Sequence, residues 1–316
     1  MFRILCLSIA AAAMAAAQSP PQGDLPVFHA GKQLVNLYAS VADSKGKLIS
    51  DLPKSAFKVY ENGVEQQISL FHPEDVPVSM GILIDNSGSM KDKREKVAAA
   101  ALDLVKASNP QDEVFIESFN DKWILEQEFT GDIKKLEAAL DNIETKGATA
   151  LYDAIHLGID HVKKGKRDKK VILVITDGND TYSEETLEQL VREAKQSDGI
   201  LIYSIGILSE EAPHDRKSAQ RALKALAESS GGLDYYPKNL AEIDQIIPQM
   251  AREIRHQYLL AYTPVNDALD GSYRQIKVTV TAPGKPLART RNGYYATPAE
   301  AVKAAEPSEP EPPVKK

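Results

Sequence analysis

The spacing of hydrophobic positions changes twice along the chain. Residues 33–42 alternate, with Leu34, Leu37 and Val41 among polar neighbours, and a period of two predicts a half-buried strand. A turn follows at Ser44-Lys45-Gly46-Lys47. Residues 57–60 and 64–71 then flank Glu61-Asn62-Gly63. An Asn-Gly pair between two apolar runs predicts a two-residue hairpin, because both turn positions need positive φ. The segment before residue 76 therefore reads as a small β module.

From Val78 onward short apolar runs alternate with helical spacing. Strands are predicted at 78–84, 113–119, 123–129, 171–175 and 200–207, with a short one at 233–236. Helices are predicted at 92–106, 131–143, 150–163, 184–195, 215–228 and 240–255. Central strands apolar on both faces require cover on both sides, so this region is an α/β fold with a doubly wound, mainly parallel sheet. After Gln257 the period returns to two, with strands expected at 258–262, 274–281 and 287–295 and a turn at Pro283-Gly284-Lys285-Pro286. Too few strands stand on either flank to be stable alone, so the N- and C-terminal sets are expected to form one small β-sandwich.

The ends of the chain carry a different message. Arg3 precedes an apolar run over 4–13, and Ala15, Ala16 and Ala17 stand before Gln18, the composition of a cleavable export signal. The run is shorter than the roughly 20 residues a membrane helix needs, and no later segment approaches one, so no transmembrane segment is expected. Cys6, the single cysteine, lies within that run without the small preceding residue a lipoprotein signal requires, so the mature chain would lack cysteine altogether. Residues 298–316, rich in Ala, Glu, Pro and Lys, read as a disordered tail. The expected organisation is a signal peptide at 1–17, a β module at 18–76, an α/β domain at 77–256, returning strands at 257–297 and the tail. An exported protein, periplasmic or secreted, is implied.

Charge narrows the partners. A net charge of −7 over 316 residues lacks the concentrated basic surface that nucleic acid requires, and the basic stretch 163–170 reads as a solvated connecting loop. The chain has no Walker-type phosphate loop, dinucleotide fingerprint, nucleophile elbow or H-E-x-x-H. His156 and His161 are five apart and do not share a helix face, so they read as surface or packing residues. Tyr235 and Tyr236 likewise read as packing residues, and no enzyme is expected.

Three oxygen-bearing segments fall where connections leave the sheet: Asp85-Asn86-Ser87-Gly88-Ser89, Gly147-Ala148-Thr149 and Thr176-Asp177-Gly178. Loops at the carboxyl ends of strands gather along one edge, where ligands bind. Taken singly, Asp85 and Ser87 could equally cap the following helix. Asp180 and Glu184 are expected to cap the next helix, or else to widen an acidic rim.

In that order and on those elements, D-x-S-x-S, G-x-T and T-D-G resemble the metal-ion-dependent adhesion site (MIDAS) of von Willebrand factor type A domains, over roughly residues 78–255. The flanking β segments resemble exported proteins of this type found in Acidobacteria. The resemblance implies that Ser87 and Ser89 ligate a metal directly, that Asp85 and Asp177 hold it through water, and that Thr149 ligates directly or through water. Ala148 stands where the family often has glycine. An all-oxygen donor set with few direct ligands suits Mg²⁺, with Mn²⁺ and Ca²⁺ as the other candidates. The implied function is metal-dependent binding of a protein or peptide that presents Asp or Glu. The alternatives are a metal-assisted hydrolase and an envelope scaffold with a non-functional site.

Overall fold

The structure is a computed structural model and describes residues 34–141 and 145–298. The expected signal peptide, and the expected tail from residue 299 onward, lie outside the described residues. Four strands come first: β1 (Val35–Ala42), β2 (Phe57–Glu61), β3 (Val64–Gln66) and β4 (Ile68–Glu74). Asn62 and Gly63 join β2 to β3 with φ of 46° and 82°, the two left-handed positions this hairpin demands. The α/β part then runs β5 (Val78–Asp85), α1 (Arg94–Ala107), β6 (Glu113–Phe119), β7 (Trp123–Thr130), α2 (Ile133–Asp141), α3 (Leu151–Val162) and β8 (Lys169–Thr176). It continues through α4 (Leu187–Gln196), β9 (Ile200–Gly206), α5 (Pro213–Ser230), β10 (Asp234–Tyr235) and α6 (Ile243–Arg255). The last strands are β11 (Gln257–Tyr262), β12 (Tyr273–Val280), β13 (Leu287–Arg289) and β14 (Gly293–Tyr295).

The central sheet has six strands in the order β10-β9-β8-β5-β6-β7. All pairings are parallel except that of the edge strand β7 with β6. Every residue of β5 and β9 is buried, as expected for strands covered on both faces. Met80, Ile82 and Ile84 of β5 pack with α1, α2 and α6, through residues such as Leu104, Leu136 and Ile247. Leu83 packs on the opposite face with Ile155 of α3, Leu190 of α4 and Leu223 of α5. The fold class is therefore the doubly wound, mainly parallel α/β class, flanked by antiparallel sheets. Gly81 of β5 is required by contact: a Cβ there would lie 2.3 Å from the ring of Phe115.

The flanking strands form two four-stranded sheets, β13-β1-β11-β4 and β14-β12-β2-β3. Each sheet mixes strands from before and after the α/β part, and their facing side chains, among them Leu37, Val59, Leu260 and Val278, share one core. Two expected strands are each divided in the structure. The run 64–71 breaks at Gln67, so that β3 pairs with β2 in one sheet and β4 with β11 in the other. There the buried Gln66 side chain accepts from Val265 N at 3.0 Å, taking the place of ladder bonds at the corner. The run 287–295 breaks in the same way, at Arg291, whose guanidinium turns inward to pair with Asp198 at 2.8 Å. The apolar pattern lapses at both corners, over Glu65-Gln66-Gln67 and over Arg289-Thr290-Arg291-Asn292-Gly293, so each expected strand runs through a local sign of its break.

Candidate functional site

The adjacent strands β5 and β8 run in register, Ile84 beside Ile175, so Asp85 and Thr176 end side by side. Thr176 Oγ1 donates to Asp85 Oδ2 at 2.6 Å, and Ser87 N donates to Asp85 Oδ1 at 2.9 Å. The chain then turns through a short 3-10 helix, Gly88–Met90, which sets the Ser87 and Ser89 hydroxyls 3.1 Å apart. Ser89 Oγ donates to Asp177 Oδ1 at 2.8 Å. Oxygens from the first and third segments thus form a continuous series, with Asp85, Ser87 and Asp177 buried and Ser89 exposed.

The second segment is tied to the same place by backbone bonds. Lys146 N donates to Asn86 O at 2.8 Å, and Gly88 N donates to Gly147 O at 3.4 Å. Gly147 has φ of 85°, and a Cβ there would lie 2.5 Å from Asp121 Oδ1, so both conformation and space require glycine. Thr149, 7% exposed, stands just before Ala150, the N-cap of α3, and Ala150 N donates to Asn120 O at 2.7 Å at the end of β6. Gly178, by contrast, has open space where a Cβ would stand.

Helix capping does not explain these residues. Ser87 stands at the N-cap of the 3-10 turn and Lys93 at that of α1, and neither makes a side-chain cap hydrogen bond. The hydroxyls and carboxylates face one another. Asp180 does act as a cap, but of α3 and not of the helix that follows it: its Oδ1 accepts from Leu151 N at 2.8 Å. Thr186 and Gln189 cap α4 reciprocally, leaving Glu184 without that role. His161 is buried among Phe115, at 4.5 Å between centroids, and Phe129, while His156 meets Glu193 at 2.7 Å. Tyr236 donates to Gln220 O at 2.9 Å, as a packing residue would.

Lys93 was not visible as a functional group in the sequence. It is buried, and Nζ donates to Asp177 Oδ2 at 2.6 Å and lies 2.9 Å from Glu210 Oε2. Burial lowers its pKa, but the hydrogen bonds and charges of Asp177 and Glu210 outweigh that and raise it. Asp85 shows the opposite balance. Burial pushes its carboxyl up to about 6, with Asp177 adding to the rise, against the hydrogen bonds from Thr176 and Ser87.

These residues fit a hard divalent cation. The converging donors are hydroxyl and carboxylate oxygens only, and no group of three or more His, Cys, Asp or Glu that could hold a metal occurs among the described residues. Asp85, Ser87, Ser89, Thr149 and Asp177 would hold it, and the ion would supply an electrophilic position open to an incoming anion.

Comparison with known proteins bears on the fold. Residues 80–179 match the family model of the von Willebrand factor type A domain. An uncharacterized protein of Synechocystis sp. is 25% identical over 175 residues, which is 54% of this chain. The chain spans only 40% of the length of that curated relative. Among solved structures, proximal thread matrix protein 1 of the mussel byssus, with a zinc-occupied MIDAS motif, is similar at 15% identity and a TM-score of 0.50, over 62% of this chain and 50% of that one. A von Willebrand factor type A protein from Catenulispora acidiphila is 11% identical with a TM-score of 0.49, over 87% of this chain and 77% of that one. With its sheet order and the matched segment spanning all three loops, the chain carries a von Willebrand factor type A domain.

Proposed function

We propose that this protein is a metal-dependent binding module in which Asp85, Ser87, Ser89, Thr149 and Asp177 hold a divalent cation, Mg²⁺ by preference, and an Asp or Glu of a protein or peptide partner completes its shell. The observation that carries this reading is the series of oxygens from Asp85 through Ser87 and Ser89 to Asp177 at the carboxyl edge of the sheet. Neutral hydroxyls nearest the ion leave it most of its charge, and this favours capture of an anion over activation of water. The zinc-occupied MIDAS motif of the mussel protein supports a divalent ion in this fold. Titration calorimetry of the full chain with Mg²⁺, Mn²⁺ and Ca²⁺ tests the reading, and no uptake at millimolar concentration overturns it.

We also propose export, with cleavage at or near Gln18, and domain limits at 77 and 256. N-terminal sequencing of the protein from its native host checks the first, and an intact Met1 on soluble protein argues against it. Limited proteolysis checks the second.

A further inference from the structure

Asp177 presents each of its two carboxylate oxygens to a different donor. Oδ1 accepts from the Ser89 hydroxyl at 2.8 Å, within the proposed metal site, while Oδ2 accepts from Lys93 Nζ at 2.6 Å. The Asp177 side chain has no exposure, and Lys93 keeps 9% of its own, so this pair is shielded from solvent. The far end of the arrangement differs: Glu210, 2.9 Å from the same ammonium, has 76% of its side chain exposed. A fixed positive charge therefore stands directly behind one proposed metal-binding carboxylate, with a weakly held acid outside it.

The consequence follows from charge counting. Asp85 and Asp177 bring two negative charges and a divalent cation two positive ones, so without Lys93 the loaded site would be neutral. With Lys93 its buried part carries one net positive charge, which the exposed and screened Glu210 offsets only in part, and a buried charge acts strongly on neighbours. Resting on the metal-binding reading above, we propose that Lys93 sets the charge of this site: it weakens the grip on the cation, and it keeps the loaded site positive enough to attract a carboxylate. Glu210 moderates it from the solvent side. Lys93 is thus a positioning and charge-setting residue, not a ligand.

A structural prop and a charge-setting residue behave differently when removed. Loss of a prop weakens both cation and anion binding, whereas loss of the charge moves them in opposite directions. The test uses the full chain with Mn²⁺ as the cation probe, followed by calorimetry, and acetate as the anion probe, followed by water-proton relaxation of the bound Mn²⁺. Lys93→Met should bind Mn²⁺ about tenfold more tightly and acetate about tenfold more weakly. Lys93→Arg should behave as wild type. Glu210→Gln should show the reverse pattern at about twofold, because exposed charges are screened. Circular dichroism controls for folding.

A folded Lys93→Met that loses affinity for both probes, or changes neither, overturns the inference. Should that variant not fold, the exposed Glu210→Gln decides: weaker Mn²⁺ with tighter acetate supports the inference, and any other pattern overturns it. Wild-type protein that takes up no Mn²⁺ removes the metal reading itself, an outcome distinct from normal Mn²⁺ uptake with unaltered variants.

Discussion

The two ends of the central sheet both bury charge, and they do so in opposite ways. At the amino ends of the strands, where the β-sandwich covers the sheet, Lys169 is 1% exposed and burial pulls its pKa down to about 7. Its ammonium donates to Ile254 O at the end of α6 and lies 5.3 Å from the ring centroid of Tyr38 in β1. Nearby, the buried Glu253 pairs with Arg289 of β13 and accepts from Ser40 Oγ at 3.1 Å. Gln257 donates to that same Ser40 Oγ and to Tyr203 OH. At the carboxyl ends, Asp85 and Asp177 are equally buried, but their series of donors runs outward to the exposed Ser89 and Glu210. One end closes its charges with another part of the chain, and the other leads them to solvent. Closed charge holds a structure together, while charge led to solvent is available to a ligand.

Substitutions at the two ends should therefore separate stability from binding. The largest effect is expected for Lys169→Ala, which leaves a cavity beneath the sandwich and strands the Ile254 carbonyl, at a cost of about 3 kcal/mol. Urea unfolding measures it, and Mg²⁺ uptake should be unchanged. A loss below about 1 kcal/mol would mean that the sandwich tolerates an open junction. Next comes Asp85→Ala, which should cut Mg²⁺ affinity by about 100-fold, equivalent to roughly 2.7 kcal/mol, with the circular dichroism spectrum unaltered. Unfolding of that variant would show that the carboxyl edge also holds the fold. Arg289→Ala should cost about 2 kcal/mol, less than a fully buried pair, because 37% of the Arg289 side chain is exposed. Adding Glu253→Gln should recover part of that loss in a thermal melt, since the stranded charge is then gone.

The contrast between the ends also explains what could be read from sequence. The strands and the three loops were legible because each is contiguous: an apolar run, then oxygen-bearing residues at fixed spacing. Lys169 was not, since it sits in a basic stretch that composition assigns to solvent, and only the covering strand β1 and the end of α6 show it to be buried. Lys93 was hidden likewise, in Lys91-Asp92-Lys93-Arg94-Glu95-Lys96, where nothing local distinguishes one lysine from the next. Thr176 was visible as part of T-D-G, but its bond to Asp85 depends on which strands are neighbours. Packing between distant segments, absent from any local pattern, accounts for each of these.

Midway between the ends lies a third buried ionisable group with neither arrangement, and it yields the smallest of the expected effects. Glu117 of β6 is fully buried and stands beside Leu83 in the sheet; neither of its carboxylate oxygens makes a well-formed hydrogen bond among the described residues, although the Trp123 side chain lies close enough to favour its charged form. Gly158 of α3 faces it, and a Cβ there would lie 3.4 Å from Glu117 Oε2. Burial raises its pKa from 4.5 to about 8. The folded chain thus keeps a proton that the unfolded chain loses above pH 4.5, and the stabilisation is complete below that pH and lost as pH rises through about 8. Relaxation and water penetration reduce the penalty of a buried carboxylate, so a fall on the order of 1 kcal/mol from about pH 5 to 8 is expected. Glu117→Gln, which cannot ionise, should remove that slope in urea unfolding at successive pH values. An unchanged slope would assign the pH dependence to other groups. If Glu117→Gln also altered the pH dependence of Mg²⁺ uptake, the middle of the sheet would be coupled to its carboxyl edge, and stability and binding would no longer divide between the two ends.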